Sequence, residues 1–123
     1  MKRKQTPLSE KTFKMAVRIV KLCRYLAEKK KEMVISKQLL RAGTSPGAMV
    51  READNAESNA DFIHKLGVAQ KETSEAMYWL ELLQETGYLS GPEFESIYPD
   101  TEEVMRLLRS SILTQKRKTH PRP

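Results

Sequence analysis

Apolar residues recur at three- and four-residue intervals from Phe13 to Ile112, the spacing of one face of an α-helix. Ala, Leu, Glu, Lys, Met and Gln dominate these stretches, and all are good helix formers. At 123 residues the chain is the size of one domain. The reading is an all-α domain over 1–123, an antiparallel up-and-down four-helix bundle. Its helices are expected at about 9–31, 34–56, 59–86 and 100–116, between basic disordered tails at 1–6 and 117–123.

The first helix has more apolar surface than one bundle uses. Phe13, Ala16, Val17, Val20, Cys23 and Ala27 form one stripe at about 100° per residue. Met15, Ile19, Leu22 and Leu26 form a second beside it. One stripe serves the core and the other needs a partner, which makes the chain a homo-oligomer with Met15, Ile19, Leu22 and Leu26 at the subunit contact. Ser9 is the expected N-cap, with Leu8 packing on Phe13 as a hydrophobic staple.

The second helix contains Gly43, Pro46 and Gly47. Helical spacing from Ile35 through Leu39, Ala42, Pro46 and Val50 to Ala53 crosses the proline, so one kinked helix is expected. Small residues there permit close helix–helix approach. Ser58 and Asp61 suggest a capping box opening the third helix, and Gly87 a left-handed stop closing it. Tyr88 and Leu89 then fold back onto the core. Pro99 divides the last region into a short helix at 92–98 and a main one at 100–116.

Charge is segregated beneath a net +6: residues 1–31 carry +9, residues 32–105 carry −9 and residues 106–123 carry +6. The basic stripe of the first helix, Lys11, Lys14, Arg18 and Lys21, is one candidate nucleic-acid surface. An up-and-down topology would gather Lys2, Arg3 and Lys4 with Lys116, Arg117 and Lys118 at one pole. A solvated basic face, or one that meets an acidic neighbouring subunit, is the alternative.

Signals for chemistry are sparse. No Gly-rich phosphate loop, metal-ligand spacing of Cys and His, or Gly-x-Ser-x-Gly elbow occurs, and no Glu-x-x-His of the di-iron bundles. No catalytic residue, metal or cofactor is expected. Cys23 reads as a buried, inert thiol. Glu72 and Glu75 lie three apart on the third helix, with Arg41 as their partner on the second. They form either a structural salt-bridge network or a carboxylate site for metal or proton transfer. No apolar run reaches membrane-spanning length and no signal-peptide core follows the basic start, so a cytoplasmic protein without a membrane partner is expected.

Two stretches carry a family resemblance. Gln38 to Ala53, including Arg41, Ser45 and Glu52, and Ser58 to Leu83, including Phe62, Glu72 and Glu75, resemble the signature of the 23S ribosomal RNA intervening-sequence proteins. Gly87-Tyr88-Leu89 continues the likeness, and Met49 stands where an Asn is common. The resemblance implies an up-and-down bundle assembled as a ring-like homopentamer. It also implies kinship with the nucleic-acid-binding accessory protein of diversity-generating retroelements, and it assigns no catalytic residues. The combined expectation is a non-enzymatic homo-oligomer that binds RNA or DNA. A structural protein–protein adaptor is the alternative.

Overall fold

The computed structural model describes residues 5–119, which form four helices: α1 Pro7–Lys29, α2 Val34–Ala53, α3 Asn59–Glu85 and α4 Gly91–Thr119. No strand occurs among the described residues.

α1 begins two residues before the expected start, and Thr6 rather than Ser9 is its cap. The Ser9 amide donates to Thr6 Oγ1 at 3.0 Å, and the Thr6 amide donates to Ser9 Oγ at 2.9 Å. Pro7 fits the first helical position because its missing N–H would be unpaired there anyway. With Thr6 as the cap, Leu8 is inside the helix and not before it, where a staple residue would sit; Leu8 is buried and Phe13 is 54% exposed. α1 ends at Lys29, and Lys31 turns the chain at φ 56°. Glu32 then caps α2, a role the sequence had not suggested. Its buried carboxylate accepts from the amides of Val34, Ile35 and Ser36 at 3.2, 2.9 and 2.8 Å. These are the free N–H groups at a helix start, where a negative charge is favoured.

α2 runs unbroken over Pro46 and stops at Ala53, three residues short of the expected end. Its small residues do permit close approach: a Cβ on Gly43 would lie 2.7 Å from Ile19 Cγ2 of α1. Ser58 caps α3 through the Asp61 amide at 3.0 Å, while the Asp61 carboxylate takes the Glu57 amide at 3.3 Å. Gly87, at φ +86°, is the left-handed stop the sequence suggested. The amides of Tyr88 and Leu89 both return to the Leu83 carbonyl, and Leu89 is buried.

α4 is one helix from Gly91 to Thr119, not two separated at Pro99, and it includes residues 117–119 of the expected tail. Ser90 and Glu93 form a reciprocal capping box, with Glu93 N to Ser90 Oγ at 3.2 Å and Ser90 N to Glu93 Oε1 at 2.8 Å. An interior proline disfavours a helix by about 3 kcal/mol. Ile97, Thr101, Val104, Met105 and Leu108 are buried on both sides of Pro99, so a break there would pull Ile97 from the core. Phe94 stacks on Tyr98 across the same turn at 4.6 Å between ring centroids.

Each helix packs on its sequence neighbours, and α1 also packs on α4. One apolar cluster is shared by all four, centred on Met15, Ile19, Leu39, Leu66, Leu80 and Leu108. Thr12, Thr73 and Thr101 are buried, and each donates its hydroxyl to a carbonyl of its own helix, at 2.8, 2.8 and 2.6 Å. No buried side-chain polar atom among the described residues lacks a partner.

Candidate functional site

The second stripe of α1 is the core stripe. Met15 and Ile19 are 1% and 0% exposed, Leu26 is equally enclosed, and Leu22 is half-buried against the same cluster. They fill the space inside the chain's own four helices, so Met15, Ile19 and Leu26 have no surface left for a second subunit. The outward apolar stripe is the other one. Phe13 and Val17 are 54% and 40% exposed and lie beside Ala16 and Val20, which are half-buried. Across from them α2 offers Leu40, Thr44, Gly47 and Ala48, with Met33 also exposed just before α2. The result is a shallow groove between α1 and α2 with small residues on its floor. Both stripes were visible in the sequence, but apolarity alone did not say which one turned inward.

The basic stripe of α1 divides into two pairs. Lys11 reaches Glu103 of α4 at 3.2 Å. Arg18 meets Asp100 Oδ2 at 2.7 Å and also donates to the Ser96 carbonyl and hydroxyl at 2.8 and 2.7 Å. These two cations are held by α4. Lys14 and Lys21 are exposed and form no ion pair among the described residues. Lys116, Arg117 and Lys118 are exposed in the last turn of α4, where cations suit the helix dipole. Lys2, Arg3 and Lys4 lie outside the described residues.

Arg41, Glu72 and Glu75 do come together. One guanidinium nitrogen of Arg41 meets Glu72 Oε2 at 2.6 Å and the other donates to Glu75 Oε1, which also accepts from Trp79 Nε1 at 3.2 Å. The cluster is at the surface, not in the core. The hydrogen bond to Glu75, then that to Glu72, raises the Arg41 pKa above its usual value. The Arg41 and Trp79 hydrogen bonds hold Glu75 below the usual carboxylate range. A neighbouring pair, Lys65 and Glu52 at 3.3 Å, joins the same two helices. With both carboxylates engaged by a guanidinium, the arrangement ties α2 to α3. No group of three metal-ligating side chains occurs among the described residues.

Cys23 is buried and its Sγ donates to the Ser36 carbonyl at 3.2 Å. Desolvation, reinforced by the Glu32 charge, pushes its pKa up to about 12. Tyr98 is also pushed up to about 12, first by its 2.6 Å hydrogen bond to Glu81 and then by burial. A thiol this reluctant to ionise is a poor nucleophile near neutral pH.

The family model of the 23S rRNA-intervening sequence protein matches residues 4–110. The chain belongs to that family. A solved structure from Bacteroides thetaiotaomicron, described as a protein with unknown function from the S23 ribosomal protein family, is 50% identical to it. The match covers 85% of this chain and 97% of that one, with a TM-score of 0.84. No match was found among curated protein sequences. The 23S rRNA-intervening sequence model spans α1 to α3 and most of α4, so the four helices and their shared core are what it describes. Among the described residues no helix is long and apolar enough to cross a membrane.

Proposed function

We propose that this 23S rRNA-intervening sequence protein is a non-enzymatic, cytoplasmic binding module that assembles as a ring-like homo-oligomer and binds nucleic acid. The subunit is an antiparallel, up-and-down bundle. Its inter-helix pairings support that topology: Cys23 with Ser36 and Ile19 with Gly43; Glu52 with Lys65 and Arg41 with Glu75; Glu81 with Tyr98 and Asn59 with Thr119. In each set, residue numbers rise on one helix as they fall on the next.

Exposed cations that no carboxylate neutralises carry the nucleic-acid reading. Among the described residues, Arg106, Arg109 and the Lys116-Arg117-Lys118 turn of α4 are such groups. Cations of this kind displace counterions from phosphate backbones with little regard to sequence. The α1/α2 groove supports assembly, because an exposed apolar strip edged by Lys14, Arg24 and Lys37 is suited to a second helix pair. A heterologous contact through this groove would close into a ring, and the pentamer of the family resemblance is the expected size.

Titration of a labelled RNA duplex and a DNA duplex at two salt concentrations tests the function, with light scattering for subunit number. Binding that weakens steeply with salt supports it. Absence of binding at low salt from a folded oligomer would leave the second reading, a protein–protein adaptor. The exposed groove of Phe13, Val17 and Leu40 favours that alternative.

A further inference from the structure

α4 is divided electrically. Its first half carries Glu93, Glu95, Asp100, Glu102 and Glu103, and its second half Arg106, Arg109, Lys116, Arg117 and Lys118. Of the acidic half, Asp100 and Glu103 take the flank toward α1, while Glu95 and Glu102 continue the line of the basic row toward the start of the helix. Ser96, Asp100 and Glu103 point to α1, as their contacts to Arg18 and Lys11 require. At 100° per residue, Arg106, Arg109, Leu113, Lys116 and Arg117 fall within one arc of about 100°. That arc is rotated away from the α1 contacts and begins on the flank where Tyr98 meets Glu81 of α3. All five are exposed.

α3 adds to this row without opposing it. The pairs Asn59–Thr119 and Glu81–Tyr98 set the two helices in register, so Lys71 lies level with Arg106 and Arg109, and His64 level with Leu113 and Lys116. Lys71 and His64 are exposed, on the side of α3 away from its buried Leu66, Ala69, Thr73 and Ala76. Between them and α4 lie uncharged residues: Ile63, Gly67, Gln70 and Ser74. Of the α3 carboxylates, Glu72 and Glu75 are turned to Arg41 of α2, Glu81 and Glu85 are at the far end of the helix, and Asp61, near the Lys116 end, accepts from the Glu57 amide before α3. Lys71, Arg106, Arg109, Lys116 and Arg117 form no ion pair among the described residues, unlike Lys11 and Arg18 on α1.

The geometry points to this α3/α4 face, rather than the α1 stripe, as the surface that holds a nucleic-acid phosphate backbone. The inference rests on the nucleic-acid reading above and says where on the molecule it is realised. Arg106 to Arg117 spans eleven residues, about 16 Å of helix at 1.5 Å per residue. That matches the axial rise of about five base pairs at 3.4 Å each. The two arginines and the Lys116-Arg117 pair sit at the two ends of this row and meet phosphates there, with Lys71 beside the arginines. Gly67 and Ser74 keep the α3 edge low, so the backbone can approach both helices. The face also lies away from the α1/α2 groove, so a subunit seated in that groove does not itself cover it.

The test compares two variants of equal charge, Arg106→Gln/Arg109→Gln on α4 and Lys14→Gln/Lys21→Gln on α1, each checked for helicity and oligomer size. Binding to a 20-base-pair RNA duplex and a DNA duplex is titrated across salt. The α4 pair is expected to lose about tenfold or more near 0.1 M salt, and its salt slope to fall by about two, one for each lost phosphate contact. The α1 pair is expected to stay within about threefold of wild type. Equal losses in both variants, or a larger loss in the α1 pair, would overturn the assignment while leaving nucleic-acid binding intact. Wild-type protein that binds neither duplex at low salt overturns both readings. Retention on phosphatidylserine vesicles in place of either duplex overturns them in favour of an anionic lipid surface.

Discussion

Gly43 and Gly67 are both glycines inside helices, yet their surroundings set opposite outcomes for the same substitution. A Cβ on Gly43 would sit 2.7 and 2.8 Å from the branched carbons of Ile19, which is itself fully buried and has little room to move. Gly43→Ala is expected to destabilise by about 1–3 kcal/mol through overpacking, even after the helix-propensity gain. A Cβ on Gly67 meets nothing within 4 Å. Gly67→Ala is expected to stabilise by up to about 1 kcal/mol, since alanine is the better helix former. Urea midpoints of the two variants, at unchanged slope, provide the comparison. The sequence suggested that glycines in α2 bring helices together, and that is true of Gly43. It could not rank the glycines, because the neighbour that decides the matter is 24 residues away. The inertness of Cys23 was legible, since a small apolar thiol on a helix stripe is usually buried. With its thiol pushed up to about 12, alkylation of the native protein at pH 8 should be slow and should accelerate on unfolding. The unfolded thiol ionises near 9 and the folded one only near 12, so its contribution to stability is intact below pH 9 and declines from 9 to 12.

Element boundaries depend on what the last turns touch. Pro46 and Pro99 have the same local chemistry, and local chemistry alone allowed each to interrupt a helix. Spacing across Pro46 was strong enough to suggest continuity. Around Pro99 the line from Ile97 to Val104 and Leu108 passes through Thr101, a polar residue, so it does not read as one apolar stripe. Their common burial keeps α4 intact. Pro99 is exposed, whereas Pro46 is buried. Pro99→Ala should therefore raise stability by about 1–3 kcal/mol, as the helix gains an amide donor and loses a ring clash. Pro46→Ala should gain less, because removing a packed ring offsets part of the benefit. Denaturant midpoints again distinguish them. Arg41 belongs to this scale too, since its two carboxylate partners join α2 to α3 at a register fixed by their three-residue spacing. Glu75 is held ionised by that contact and its folded pKa is depressed. Its contribution is present above the carboxylate range and is lost as pH falls through it. An Arg41→Met variant should therefore show a flatter loss of stability on acidification than wild type, measured by thermal melts between pH 7 and pH 3.

At the scale of the whole molecule, the sequence contained the correct excess and the wrong assignment. Two apolar stripes on α1 exceed what one four-helix core requires, and the structure retains that excess. Its inward stripe, however, is the one with Met15, Ile19 and Leu26. Phe13 and Val17 are left outside on the α2 side. No count of apolar residues decides between two stripes of similar length. Gly43 lets α2 lie close against Ile19, which is consistent with Ile19 facing inward. The two stripes make separable demands on the molecule. Ile19→Asp places a charge in the shared core without a partner and should abolish folding, seen as loss of helical circular dichroism. Phe13→Asp places the same charge on a half-exposed groove. It should leave helicity near wild type while light scattering reports dissociation to smaller species. If Phe13→Asp keeps the native subunit number, the groove is not the subunit contact and the assembly must be held by another face. Dissociation without unfolding would place the outward stripe at the joint between copies.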